Sequence, residues 1–213
     1  MATAVETPLT PREYLELERK AEFRSQYIDG VMYPMAGASR EHNNIAGTVY
    51  AKVFAALEGR PDEVYINDMR VRVDPDGLCT YPDVAASPAP EFWDDAGDTL
   101  LNPSVIVEVL SPSAEAGDRG PKSARYRGLE SLREYVLIAR DRVSVERLER
   151  GGDRWILTIA DSLDAAPRLE SLGVEVPLRA IYARTPLAEG GGHGIRMCGP
   201  VVAARRRRGA ESC

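Results

Sequence analysis

Two stretches of the chain have the spacing of apolar residues that is typical of amphipathic helices. Thr10 is a suitable N-cap, Pro11 fits the first helical position, and Glu13 completes a capping box. Ser39 can cap a second helix that runs to about Leu57, because apolar residues recur every four positions along it. Each predicted helix therefore presents one apolar face to a core.

Most of the remaining periodicity is that of β-strands. Short apolar or alternating runs, separated by turn residues, predict strands at residues 26–29, 31–33, 64–66, 69–73, 78–85, 104–110, 134–139, 143–148 and 155–159. The dipeptide Asp29-Gly30 favours a hairpin turn between the first two of them. Shorter helices are predicted at about 119–129 and 177–182. This mixture of elements predicts an α+β fold.

The pattern changes near the C-terminus. The chain has 213 residues, which suits one domain, and we assign that domain to residues 8–186. Residues 187–213 show no apolar period and include a glycine run and an arginine run at 205–208, so they are predicted to be a disordered tail. The arginine run would also suit nucleic-acid binding, but a solvated tail is the favoured interpretation.

Composition and charge narrow the class of protein. No apolar run approaches the roughly 18 residues that span a bilayer, the N-terminus lacks the features of a secretory signal, and the three cysteines are scattered. We therefore expect a cytoplasmic protein that does not contact a membrane. The net charge of −6 argues against broad nonspecific binding of nucleic acid, which depends on Lys and Arg. A nucleic-acid enzyme remains compatible with it, because a metal site is itself acidic.

Two carboxylates have a sequence context that suggests chemistry. Glu108 is the only charged residue in the apolar run 104–110, where a carboxylate is costly to bury unless it is paired or binds a metal. The alternative is an exposed strand end or an ion pair with an arginine. Pro82 cannot donate to a sheet ladder and so marks an edge or a bulge directly before Asp83. The alternative there is an ordinary turn.

A lysine completes the candidate site. Lys122 lies four residues before Tyr126, so the two share a helix face, and Asp118 can cap that helix. The alternative is a solvated lysine above a core tyrosine. Asp83 and Glu108 supply hard oxygen ligands for Mg²⁺, and the lysine places a cation beside them. This is the minimum machinery for metal-assisted hydrolysis of a phosphodiester.

Several short motifs occur in a fixed order along the chain. They are Tyr27-Ile28-Asp29-Gly30, Met35-Ala36-Gly37-Ala38-Ser39 with His42, Asp68-Met69-Arg70-Val71, Tyr81-Pro82-Asp83-Val84, Val107-Glu108-Val109-Leu110-Ser111-Pro112, Asp118 with Lys122 and Tyr126, and Glu134-Tyr135. As an ordered set they resemble the Uma-two family of putative restriction endonucleases, within the PD-(D/E)xK nuclease superfamily. The resemblance implies a restriction-endonuclease-like core, in which helices flank a mixed central sheet.

The resemblance also implies a site. Asp83 and Glu108 become ligands of Mg²⁺ or Mn²⁺, the main-chain carbonyl of Val109 becomes a third ligand, and Lys122 becomes the catalytic lysine. The superfamily usually carries its lysine two residues after the glutamate, where this chain has Leu110. The Uma-two pattern instead places the lysine on the following helix.

Three further residues are accessory candidates. Gln26 stands where the family often has a glutamate ligand, and its amide oxygen can still bind a metal, although it brings no charge. The resemblance includes a histidine at His42, which suggests a role near the substrate, although a structural hydrogen bond explains it equally well. Tyr126 accompanies Lys122 on the same helix.

Three functions are compatible with these residues. The leading interpretation is a divalent-metal-dependent endonuclease that acts on DNA, for which a homodimer would suit cleavage of both strands. The second is a noncatalytic binding or assembly module that retains the nuclease fold. The third is a metal-dependent hydrolase of some other phosphoester.

Overall fold

The structure is a computed structural model that describes residues 8–75, 77–111 and 115–188 and the backbone of 195–201. The helices are α1 (Pro11–Glu18), α2 (Arg40–Ala56), α3 (Glu115–Arg119), α4 (Pro121–Tyr126) and α5 (Leu178–Ile181). The strands are β1 (Ser25–Ile28), β2 (Val31–Pro34), β3 (Glu63–Ile66), β4 (Arg70–Asp74), β5 (Leu78–Thr80), β6 (Val84–Ser87), β7 (Thr99–Leu100), β8 (Val105–Leu110), β9 (Glu134–Ala139), β10 (Val145–Gly151), β11 (Arg154–Ala160), β12 (Arg168–Leu169), β13 (Val174–Glu175) and β14 (Ile195–Val201).

Two larger sheets organise these strands. The central sheet has seven strands in the order β14-β11-β10-β9-β8-β6-β3, and a second sheet has the order β2-β1-β5-β4-β7. A small third sheet pairs β12 with β13. In the central sheet β8 and β9 run parallel and the other neighbours run antiparallel, so the sheet is mixed. The predicted α+β fold is therefore confirmed.

Apolar side chains cover both faces of the central sheet. On one face α2 contributes Ile45, Val49 and Val53 to a core that also contains alternate residues of β6, β8 and β9. On the other face Tyr126 of α4 and Tyr135 of β9 belong to a second core. Every residue of β8 is buried, as is typical of a strand covered on both sides.

The local signals at the N-terminal half are confirmed. Thr10 and Glu13 form the reciprocal capping box of α1, and Ser39 caps α2, which ends at Ala56. Asp29 and Gly30 both have positive φ, of 49° and 91°, as a tight hairpin turn between β1 and β2 requires.

The prediction of one strand at residues 78–85 is wrong. The chain forms β5, leaves regular structure at residues 81–83, and then forms β6 in the other sheet. Pro82 has no N–H to donate, so a continuous ladder cannot pass through it. The interruption expected at Pro82 is thus a crossing from the second sheet to the central sheet.

The prediction of one helix at residues 119–129 is also wrong in its extent. Helices α3 and α4 meet at Gly120, and α4 ends at Tyr126. A Cβ atom at position 120 would lie 2.8 Å from the carbonyl oxygen of Ala116, so only glycine permits this backbone path. The prediction of a last helical turn at 177–182 agrees with α5.

The predicted boundary between domain and tail requires a correction. Residues 195–201 form β14, which pairs antiparallel with β11 and so extends the central sheet beyond residue 186. Gly199 has no partner residue in this register, which marks a bulge and breaks the period that a strand would show in sequence. Residues 189–194 and 202–213, including the arginine run, lie outside the described residues.

In the part of the chain that the structure describes, no helix combines the length and the hydropathy that crossing a bilayer requires.

Candidate functional site

The pairing of β6 with β8 brings the two candidate carboxylates together. Val84 pairs with Val107 in an antiparallel register, so the flanking residues Asp83 and Glu108 lie opposite each other. Opposite residues of such a pair project from the same sheet face, with Cβ atoms about 5 Å apart. Both carboxylates therefore lie at one end of the sheet, where β8 finishes and β6 begins.

Glu108 is buried within a small polar group. Its side chain is only 5% exposed, the Tyr126 hydroxyl donates to Oε1 over 2.9 Å, and the Lys122 ammonium lies 2.7 Å from the same oxygen. Burial raises the pKa of the Glu108 carboxyl to about 7; Lys122 opposes this rise, whereas the charges of Asp118 and Asp83 add to it.

Lys122 is held by two carboxylates. Its Nζ lies 2.7 Å from Glu108 Oε1 and 3.2 Å from Asp118 Oδ1, and Asp118 is itself 5% exposed. Burial acts to lower the pKa of the ammonium, but Glu108 and Asp118 outweigh it and hold the pKa above its ordinary value. Lys122 is therefore a positively charged, partly buried group at the end of β8.

The oxygens of Asp83 are fixed from two sides. Nε2 of His42 lies 2.7 Å from Oδ1, and the backbone N–H of Val109 donates to Oδ2 over 2.6 Å. Burial acts to lower the pKa of His42, but the bond to Asp83 and the charge of Glu108 raise it overall. His42 thus reaches the site from the first turn of α2.

The carbonyl of Val109 lies beside a gap in the β6–β8 ladder. The N–H of Asn67 donates to the Asp83 carbonyl, which therefore faces β3, so the backbone groups of the flanking residues Pro82 and Val84 face β8. Val84 and Val107 are the last paired residues, and if their register continued for two more residues, Pro82 would lie opposite Val109. Since Pro82 has no N–H, it gives the Val109 carbonyl no ladder hydrogen bond.

The accessory candidates do not all meet at this point. His42 bonds to Asp83, and Tyr126 bonds to Glu108, so both belong to the site. Gln26 lies on β1 in the second sheet, paired with Tyr33. Among the described residues, no hydrogen bond or ion pair joins Gln26 to the two carboxylates.

Two contributors to the site were not singled out for it from the sequence. Asp118 is a second partner of Lys122 rather than a helix cap. The sequence feature that indicates this pairing is the four-residue spacing between the two residues. Arg140 follows the last residue of β9 and donates from Nη1 to Ser39 Oγ over 3.0 Å. Ser39 Oγ also accepts from the N–H of His42 over 3.3 Å, which places Arg140 on the α2 side of the site.

The donor set suits a hard divalent cation. Among the described residues no three His, Cys, Asp or Glu side chains are grouped to hold a metal by themselves. Mg²⁺ needs fewer side-chain ligands from the protein, because it keeps several waters and binds through one or two carboxylates. Asp83, Glu108 and the Val109 carbonyl, at the interrupted ladder, would be its protein ligands.

Comparisons with known proteins identify the family of this chain. The sequence profile of the Uma2 (Uma-two) family, described as "Putative restriction endonuclease", matches residues 11–179. Two proteins of Synechocystis sp. are similar to this chain, "Uncharacterized protein sll1609" and "Uncharacterized protein slr1290". The first is 36% identical over 74% of this chain and 90% of the relative. The second is 31% identical over 82% of this chain and 91% of the relative.

A solved structure shows the same fold. The crystal structure of "a putative nuclease belonging to DUF820" from Anabaena variabilis superposes with a TM-score of 0.64, at 19% identity, over 83% of this chain and 98% of that one. The expected restriction-endonuclease-like fold, with helices flanking a mixed sheet, is thereby confirmed. Given the extent of the profile match and the identity of the relatives, the chain belongs to the Uma2 family of putative restriction endonucleases.

Proposed function

We propose that this protein is a divalent-metal-dependent endonuclease that hydrolyses phosphodiester bonds of DNA. The observation that carries the proposal is the convergence of Asp83 and Glu108 on one sheet face with the Lys122 ammonium against Glu108. Two carboxylates that can hold a metal, with a cation beside them, suit hydrolysis of a phosphodiester.

Each residue has a distinct task in this proposal. Asp83, Glu108 and the main-chain carbonyl of Val109 would hold the cation. His42 and the Val109 N–H fix the orientation of the Asp83 carboxylate, and Tyr126 fixes that of Glu108. Such supporting hydrogen bonds hold ligands in place and so contribute to metal affinity.

The cation and the lysine divide the remaining chemistry. Bound Mg²⁺ or Mn²⁺ would supply a Lewis acid at the phosphate and would acidify a coordinated water. Lys122 carries a positive charge at the end of β8, where it can stabilise negative charge that develops on a phosphate oxygen. Gln26 is given no task here, because no hydrogen bond or ion pair joins it to the two carboxylates among the described residues.

One observation favours a second candidate, a noncatalytic module that retains the fold. The Lys122 ammonium already pairs with Glu108 and Asp118, so the protein itself supplies a counter-ion for these buried carboxylates. A group arranged in this way is also compatible with a purely structural role. Metal binding and cleavage therefore decide between the two candidates.

The test is cleavage of plasmid, linear duplex, single-stranded DNA and RNA in Mg²⁺, in Mn²⁺ and in EDTA. The expected result is metal-dependent nicking or linearisation of plasmid DNA that is lost in EDTA. Asp83→Asn and Glu108→Gln should both reduce cleavage to background, while Asp141→Asn, at an exposed residue, should cleave like the wild type.

The remaining outcomes are equally informative. Cleavage that persists in Asp83→Asn would mean that a contaminant or another site is responsible. Binding of Mn²⁺ without cleavage of any substrate would favour the noncatalytic module. Sedimentation of the active protein would show whether it acts as the homodimer that we propose for cleavage of both strands.

A further inference from the structure

We propose that Arg140 binds a backbone phosphate of the nucleic-acid substrate beside the metal site. This inference rests on the proposed nuclease function and names a residue that contacts the substrate on the α2 side of that site. It assigns Arg140 to substrate binding rather than to the chemistry at the scissile bond.

The position of Arg140 follows from the parallel pairing of β8 with β9. Leu110 pairs with Ala139, so Arg140 follows β9 at the same end of the strands at which Glu108 and Val109 lie near Asp83. A chain of contacts then joins it to the site. Arg140 donates to Ser39 Oγ, Ser39 Oγ accepts from the N–H of His42, and His42 contacts Asp83.

In the described part of the chain, no carboxylate neutralises the charge of Arg140. Among the described residues no Asp or Glu forms an ion pair with it, and its one hydrogen bond goes to a neutral hydroxyl. The neighbouring arginines differ, since Arg142 pairs with Glu115 and Asp141, and Arg119 pairs with Glu115 and Glu146. A guanidinium without a carboxylate, beside a site for phosphodiesters, suits an external anion.

The geometry of Arg140 suits binding of an anion. A guanidinium has five N–H donors in a rigid fork, and Ser39 takes one from Nη1. The side chain is partly exposed, and none of its nitrogens is a buried group without a partner, so its remaining donors are reachable from solvent. Because Ser39 caps α2, the bond to its hydroxyl also holds the guanidinium in one orientation.

Arg140 lies close to His42. Both donate to the Ser39 hydroxyl oxygen, Arg140 from Nη1 and His42 from its backbone N–H. A phosphate that binds Arg140 would therefore lie close to Asp83 without displacing its histidine partner. Arg140 would recognise a phosphate group, which every nucleotide of DNA or RNA carries. Its contact would therefore not depend on the base sequence.

The test measures how binding of a short fluorescent DNA duplex depends on salt, by fluorescence anisotropy in EDTA and in Ca²⁺. Arg140→Gln keeps a group that can donate to Ser39 but removes the charge. It should weaken binding roughly tenfold, as expected for one lost charge-assisted contact. It should also make the slope of log Kd against log salt shallower by about one.

Two further variants act as controls. Arg140→Lys restores the charge without the fork, so it should recover the salt slope while binding more weakly than the wild type. Arg142→Ala removes a neighbouring arginine that is already paired with carboxylates, and it should bind within about twofold of the wild type. Thermal unfolding of each variant shows that the fold is retained.

Plasmid cleavage measured in parallel separates this inference from the proposed function. If the wild type cleaves DNA and Arg140→Gln binds it with an unchanged affinity and slope, the role of Arg140 is wrong and the nuclease stands. If binding depends on Arg140 but no metal supports cleavage, the phosphate contact stands and the nuclease proposal fails. Equal losses in Arg142→Ala, or no binding by the wild type, would overturn the inference.

Discussion

Lys122 has two anionic partners, and the structure gives them different functions. Glu108 is bonded by both Lys122 and Tyr126, whereas Asp118 forms an ion pair with the ammonium. Asp118 is therefore a positioning residue, because its carboxylate fixes Lys122 without belonging to the predicted metal ligands. Removing one partner of a buried charge costs more than the pair contributes, because the other charge stays buried.

Asp118→Asn should therefore destabilise the protein. We expect the free energy of unfolding to fall by about 1–3 kcal/mol, because a hydrogen bond to a buried charged group is lost. Urea unfolding in EDTA measures this effect without any metal. Glu115→Gln removes a more exposed carboxylate three residues earlier and should change stability by less than about 0.5 kcal/mol. Equal effects of the two variants would mean that Asp118 does not hold Lys122.

Glu134 is a buried carboxylate at the opposite end of the sheet. It begins β9 opposite Val105, is 0% exposed, accepts from the N–H of Ser171 over 3.2 Å and lies 3.6 Å from Arg147. Its Oε2 is buried and has no hydrogen-bond partner among the described residues. Burial raises the pKa of Glu134 despite the Ser171 N–H and Arg147, which act to lower it. The folded protein therefore binds the proton of this carboxyl more tightly than the unfolded chain does.

Glu134→Gln should stabilise the protein in a pH-dependent way. An unfolded glutamate ionises near pH 4.3, while the folded one keeps its proton to higher pH, so the wild type loses stability as the pH rises between the two pKa values. Glutamine does not titrate, so its advantage should grow across this window and then level off. Urea midpoints from about pH 4 to pH 8 measure it. Glu175→Gln, at an exposed residue, is the control, and a difference that is constant with pH would contradict the prediction.

Individual residues of the site could be predicted where burial conflicts with charge. Glu108 was identified because a carboxylate inside an apolar run requires a partner. Arg140 could not be identified in this way, because a charge just after a strand is common at a surface. The availability of the Val109 carbonyl depends on Pro82 lying opposite it, which is a property of the register and not of either residue.

Among the elements, the break between α3 and α4 sets the relative position of Asp118 and Lys122. Gly120→Ala should lower the free energy of unfolding by at least about 1 kcal/mol, since the new Cβ would lie 2.8 Å from the Ala116 carbonyl oxygen. Gly117→Ala is the matched control within α3, where a Cβ meets nothing within 4 Å. It should be neutral or stabilise by up to about 1 kcal/mol. Thermal unfolding of both variants measures the two effects. Equal unfolding midpoints would show that the backbone at position 120 does not require glycine.

Whether a segment is a helix or a strand was easier to predict than which sheet a strand joins. The capping signals at Thr10 and Ser39 are local, so α1 and α2 could be read from the sequence. The strands β5 and β6 look like one run, because every residue from 78 to 82 is buried although the sheet changes. Which sheet a strand joins depends on distant partners, here β4 for β5 and β8 for β6.

At the scale of the whole molecule, β14 covers one edge of the central sheet. A chain that ends at residue 188 would leave β11 with unpaired N–H and C=O groups along that edge. We expect it to be less stable by at least about 1 kcal/mol than a chain that ends at residue 201, and more prone to aggregation. Both chains lack 202–213, so the difference reports on 189–201 alone. Identical urea midpoints and light scattering would contradict a role for β14 in the sheet.

The contact between Arg140 and Ser39 also has a consequence for how the chain folds. It joins residues that are 101 positions apart, and within that interval His42 meets Asp83 across 41 positions. Contacts of such long range raise the contact order, and closing them slows folding. During synthesis, the carboxylates, the lysine and the arginine can therefore not meet until at least 140 residues have left the ribosome. A nuclease built in this way could not cut nucleic acid before Lys122 has been made, so no N-terminal fragment shorter than 122 residues would be active.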